Sequence, residues 1–86
     1  MAEAERSDEA LMPVYGFLEG DTIGLLILAR KSMTVAQLAQ QLQSAASVRV
    51  APRPGLRVVY KEKVLDPADT LEHVGLSALE RFDVIV

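Results

Sequence analysis

R-V-V-Y-K-E-K-V-L-D-P-A-D-T-L-E-H-V-G-L-S-A-L-E-R-F-D-V-I-V, residues 57–86, decides the fold. It opens on a β-branched and aromatic run, Val58-Val59-Tyr60, which favours a strand. Lys61-Glu62-Lys63 reads as a polar turn, and Val64-Leu65 as a second, shorter apolar piece. Asp66-Pro67 ends it, because proline cannot donate to a ladder and restricts the residue before it. Thr70-Leu71 starts a compact helical turn that carries Leu71, Val74 and Leu76. The stretch closes on Phe82-Asp83-Val84-Ile85-Val86, again strand-like.

Working back from residue 57, residues 48–55 (V-R-V-A-P-R-P-G) hold two prolines and a glycine and read as a loop. Before it lies a helix. Thr34 and Gln37 make a T-x-x-Q capping box, with Met33 and Leu38 as a hydrophobic staple. Val35, Leu38, Ala39, Leu42 and Ala46 recur at helical spacing and form one apolar stripe. Gln37, Gln40, Gln41 and Gln43 are expected mostly on the other side, and the helix is expected to end within residues 44–47.

Residues 12–18 and 22–29 read as a β-hairpin around Glu19-Gly20-Asp21. A turn symmetric about Gly20 and Asp21 puts Val14, Gly16, Leu18, Ile23, Leu25 and Ile27 on one face. Tyr15, Phe17, Leu26 and Leu28 then share the other, and a bulge at Gly20 would exchange the faces within one strand. The order β-β-α-β-β-turn-β predicts an α+β domain, a mixed sheet wrapped across one helix. Residues 58–86 resemble the second half of ubiquitin without a gap, so the expected fold is the β-grasp, or ubiquitin-like, fold. That resemblance implies core positions for Val58, Leu65, Leu71, Leu76, Phe82 and Val84. The expected division is an acidic disordered tail over residues 1–11 and a ubiquitin-like domain over residues 12–86.

Composition excludes several functions. Glu3, Glu5, Asp8 and Glu9 against Arg6 place the whole net charge of −3 in the tail. The rest is balanced, with no field to draw in nucleic acid. Cysteine is absent, which rules out disulfides and thiolate metal sites. The acidic start has no signal-peptide pattern, the longest apolar run (residues 25–29) is too short to span a bilayer, and a cytoplasmic location is expected. The single histidine, His73, has no set of partners at metal-ligand spacing, and no serine has a base at motif spacing. No catalytic residue, cofactor-binding residue or metal ligand is expected. The chain stops at Val86 without the Gly-Gly end that a conjugated modifier or sulfur carrier uses, so neither role is expected.

Half of the residues are apolar, more than one small interior hides. A helix covers only one sheet face, yet the other would carry Tyr15, Phe17, Leu26, Leu28, Val59 and Ile85. A contiguous apolar face points to a partner surface. Arg49 and Arg53 in the loop are added as candidates for contact with an acidic partner protein.

Three further pieces narrow the family: Met12-Pro13-Val14 with Glu19 and Asp21; Arg49-Val50-Ala51-Pro52-Arg53 with Gly55 and Arg57-Val58; and the ending G-L-x-x-x-E-x-x-D-V, from Gly75 to Val84. From Met12 to Val86 the chain resembles the small ubiquitin-like γ subunit of bacterial toluene and alkene monooxygenases, the soluble di-iron multicomponent enzymes. It departs in its acidic tail and in a shorter connection between Ala29 and Thr34. The resemblance implies a hydroxylase of (αβγ)2 composition that oxidises an alkene or aromatic hydrocarbon with O2, with electrons from NADH. The di-iron centre would sit in the α subunit, and this chain would dock on α and β without supplying a ligand. The other reading is a free-standing ubiquitin-like adaptor that binds a protein through the same apolar face. No nucleic-acid or membrane partner is expected.

Overall fold

The computed structural model describes residues 10–86. The expected tail, residues 1–11, lies outside the described residues apart from Ala10 and Leu11, both exposed. The elements are β1 (Met12–Leu18), β2 (Gly24–Ala29), α1 (Val35–Ala45), β3 (Arg57–Tyr60), β4 (Lys63–Val64), α2 (Leu71–Val74) and β5 (Arg81–Ile85). They form one mixed five-stranded sheet in the order β2-β1-β5-β3-β4. β1 runs antiparallel to β2 and parallel to β5, which in turn pairs antiparallel with β3. This is the β-grasp arrangement expected from the sequence.

The hairpin register is the symmetric one: Val14 faces Ile27, Gly16 faces Leu25 and Phe17 faces Gly24. Asp21 N–H donates to Leu18 O at 2.9 Å, and Gly20 takes the positive φ of 94° at the turn. The inward residues are therefore those expected, with one correction. Ile23 lies in the turn, before β2 begins, and is exposed.

Thr34 and Gln37 close both halves of the capping box: Gln37 N–H donates to Thr34 Oγ1 at 3.1 Å, and Thr34 N–H to Gln37 Oε1 at 2.9 Å. All five residues of the apolar stripe are buried against the sheet. Gln43 departs from the expected polar side. It is buried, and its Oε1 accepts the Arg53 N–H at 2.8 Å, so it anchors the loop after the helix. A buried amide is stable there because it is bonded.

Val14, Val35, Leu38, Leu42, Val58, Leu71, Phe82 and Val84 are the largest fully buried side chains. Five of the six core positions implied by the ubiquitin resemblance are buried, and Leu65 packs partly buried against them. The connection before α1 is stitched to the one before α2. Val35 N–H donates to Asp69 O at 2.8 Å and Leu71 N–H to Met33 O at 2.9 Å.

The β3–β4 hairpin turns through Lys61 and Glu62, at φ 52° and 67°. Two central residues with positive φ are the geometry that Asn-Gly favours, and neither is present. Replacing Glu62 by glycine removes a left-handed penalty of about 1 kcal/mol. Glu62→Gly is therefore expected to raise stability by about that amount in urea unfolding. An unchanged or lower midpoint would contradict the assignment.

Candidate docking face

One face of the sheet is filled by α1, and the registers place the expected face residues on the other. Tyr15 lies between Leu26 and Arg81, and Pro13 is paired with Leu28. Phe17 lies between Gly24 and Asp83, and Asp83 leads on to Val59. Ile85 pairs with Arg57 at the far end. All six apolar candidates thus share one surface, but they do not form one continuous patch.

The division has a physical cause. Gly24 leaves room for the Phe17 ring to lean over β2: a Cβ at position 24 would sit 2.5 Å from two ring carbons. The Arg81 guanidinium lies 4.0 Å from the Phe17 ring centroid, a cation–π distance. The same guanidinium makes two 3.0 Å bonds to the Asp83 carboxylate, which raises the Arg81 pKa above its ordinary value. Phe17 is therefore partly shielded, and Arg81 with Asp83 lies between it and Val59 and Ile85. Those two are only half-buried.

The larger exposed apolar part lies on β1 and β2; Val64, 59% exposed and paired with Val59, stands on β4 at the opposite edge of the sheet. Tyr15 is 42% exposed, Leu26 54% and Leu28 50%. Leu79 joins them at the same end of the sheet, 64% exposed, with its N–H on Pro13 O at 2.6 Å. Leu79 is not among the residues expected on this face. It lies before β5 begins, outside the regular ladder with β1. Its positive φ of 69° leaves no mark in the sequence.

Arg49 and Arg53 are not on this face. Arg49 Nε and Nη2 reach Asp21 at 2.9 and 2.8 Å, and Arg53 Nη2 donates to Glu19 O at 3.0 Å. Both arginines hold the loop after α1 against the β1–β2 turn. Salt-bridged scaffold is the role this geometry gives Arg49, and its Asp21 partner has a side chain only 2% exposed.

Among the described residues, no group of three or more His, Cys, Asp or Glu side chains is placed to hold a metal ion. His73 lies exposed on α2, its Nδ1 3.1 Å from Asp69 Oδ1. No helix among the described residues is long and apolar enough to cross a membrane.

Two carboxylates away from the face do carry shifted ionisation. Asp21 is held below the ordinary carboxylate range, first by its hydrogen bond from Arg49. Glu80 is lowered by the Tyr60 hydroxyl, which donates to it, and then by the Ser77 N–H at 2.8 Å. For Tyr60, burial and then the Glu80 contact push the phenol up. A carboxylate depressed in the folded state binds protons more readily when unfolded. Its stabilisation is present above the unfolded pKa and is lost as pH falls through the folded one. Urea midpoints taken from pH 7 down to pH 3 are expected to decline, with a shallower decline for Asp21→Asn with Glu80→Gln. An identical decline in that double variant would rule out these two groups as the source.

Comparison with known proteins gives the family. The family model for toluene-4-monooxygenase system protein B (TmoB) matches residues 11–85. A chain in a toluene 4-monooxygenase HD complex with the inhibitor 4-bromobenzoate is 26% identical; the match covers 88% of this chain and 98% of that one, at a TM-score of 0.81. A Caldiarchaeum subterraneum ubiquitin is 20% identical over 90% of this chain and 94% of that one, TM-score 0.72. The ubiquitin-like domain of Plasmodium falciparum Dsk2 is 19% identical over 87% and 96%, TM-score 0.69. The last two share the fold. No curated protein sequence matches the chain. A β-grasp domain with an unfilled apolar sheet face, matched nearly end to end by that family model, belongs to the toluene-4-monooxygenase system protein B family, ubiquitin-like small subunits associated with a monooxygenase.

Proposed function

We propose that this chain is a non-catalytic subunit of a multicomponent hydroxylase, and that it docks on the oxygen-activating α subunit through the outer face of its sheet. The observation that carries this reading is the exposure of Tyr15, Leu26 and Leu28 side by side on a sheet whose other face packs against α1. An antiparallel pair left bare on one side normally turns polar residues to water. The family and the toluene 4-monooxygenase chain of similar fold support an oxygenase as the partner.

In this reading the di-iron centre belongs to α, within an (αβγ)2 hydroxylase that takes electrons from NADH and oxidises an alkene or aromatic hydrocarbon with O2. The contribution of this chain is a rigid apolar surface. Arg81 on Phe17 fixes one border of it, and the Arg49–Asp21 pair steadies the turn at one end of β1 and β2.

The test is co-expression of the full chain with the large subunits of its own hydroxylase, followed by size-exclusion chromatography. Co-elution with the iron-bearing subunit in fixed stoichiometry is expected. A chain that elutes as a separate, fully stable monomer beside an intact hydroxylase would contradict the proposal and favour a free-standing adaptor.

A further inference from the structure

Among the described residues, β2 stands at the end of the sheet order and pairs only with β1. The direction of its backbone groups follows from the neighbouring ladder. Tyr15 N–H donates to Glu80 O at 2.9 Å, and Pro13 O accepts Leu79 N–H at 2.6 Å. Both residues therefore turn their polar backbone toward β5. Their partners on β2, Leu26 and Leu28, occupy the antiparallel positions that exchange no hydrogen bonds with β1. Leu26 and Leu28 thus direct N–H and C=O at the open edge, and by alternation so does Gly24. One of these groups is taken up within the chain: Gln41 Nε2 donates to Leu28 O at 3.1 Å.

Natural edge strands usually carry a charge, a proline or a bulge that blocks further pairing. The β2 sequence, G-L-L-I-L-A, has no charge and no proline, and its register with β1 runs unbroken from Gly24 to Ala29. The outward side chains of the same strand, Leu26 and Leu28, are half of the exposed patch described above, so edge and face are continuous. Just past the strand, Arg30 and Lys31 are exposed and form no ion pair among the described residues.

We propose that β2 receives an extended segment of the hydroxylase partner as an additional strand. This rests on the docking reading above and specifies its mode. Only an extended chain matches a row of outward N–H and C=O groups, and alternate side chains then supply specificity. The segment carries apolar side chains at alternate positions, which pack beside Leu26 and Leu28. A carboxylate at the end nearest Ala29 pairs with Arg30 and Lys31.

Residue-level hydrogen exchange on the free full chain and on the co-purified hydroxylase complex tests this. In the free chain the Leu26 and Leu28 amides are expected to exchange fast, while those of Leu25 and Ile27 are slow. In the complex the Leu26 and Leu28 amides should slow by roughly 100-fold or more, the mark of new backbone bonds. Leu26→Pro removes only the outward donor at a position where an edge strand tolerates proline. It should keep the fold and lose retention by the partner; if it does not fold, the exchange pattern of the unaltered chain decides. A complex that forms while both amides still exchange fast overturns strand addition and leaves face docking standing. No complex at all overturns both. Slow exchange already present in the free chain also overturns the proposal: if lost on deleting residues 1–9, the edge belongs to the chain's own start, and if it accompanies a dimer, to a second copy.

Discussion

Gly16→Val is expected to leave the chain unfolded at room temperature. Gly16 lies mid-strand in β1 on the helix side of the sheet, buried, with Phe82 beside it on β5. A Cβ there would stand 2.7 Å from Phe82 Cζ and 2.9 and 3.0 Å from the two Cδ atoms of Leu42. Both neighbours are fully buried, so neither has solvent to move into. One extra methyl in a packed core costs about 1–3 kcal/mol, and valine adds two more carbons on a stiff branch. A domain of this size has only about 4–13 kcal/mol to lose. Gly16→Ala should fold with a stability lower by about 1–3 kcal/mol. The far-ultraviolet circular dichroism spectrum and urea midpoint check both. A native spectrum and unchanged midpoint in Gly16→Val would mean that the helix does not sit on β1 as described.

Leu26→Asp is expected to do the reverse, sparing the fold and destroying assembly. Its side chain projects from the face away from α1 and is more than half exposed. A charge there meets water in the free chain, so the melting temperature should stay within a few degrees. In the proposed interface the same carboxylate is buried among apolar groups with no cation opposite. Central interface residues of this kind cost about 2 kcal/mol or more when lost, some thirtyfold in affinity. Retention by the hydroxylase subunits should fall by at least that factor. Val48→Asp is the matched control: Val48 is 85% exposed but lies in the loop after α1, and assembly should be unaffected. Equal loss in both variants would move the docking surface elsewhere.

Much of this architecture was legible because its signals are local or periodic. The capping box at Thr34 and Gln37 needs only four residues, and the helix stripe only its own spacing. The hairpin faces followed from a two-residue period once the turn was centred on Gly20 and Asp21. What the sequence hid depends on contacts between distant elements. Gln43 looked like one more polar helix residue until the Arg53 N–H, ten positions on, came to meet it. That Arg49 and Arg53 close on Asp21 and Glu19 was equally hidden, because those partners lie on the other side of the helix in sequence. The apolar outer face was visible as alternation, but its borders were not. They are set by Arg81, which stacks on a ring from a strand far away in the chain, and by a glycine that lets that ring lie down.

In the proposed assembly the exposed corner of the sheet, around Tyr15, Leu26 and Leu28, is the surface that meets the oxygenase. Side-chain footprinting by hydroxyl radicals, on the free chain and on the purified hydroxylase complex, measures it directly. Tyr15, Leu26 and Leu28 are expected to lose most of their reactivity in the complex, while Val48, in the loop after α1, and Val64, at the opposite edge of the sheet, keep theirs. Protection of Val48 or Val64 with Leu26 and Leu28 unchanged would contradict the account.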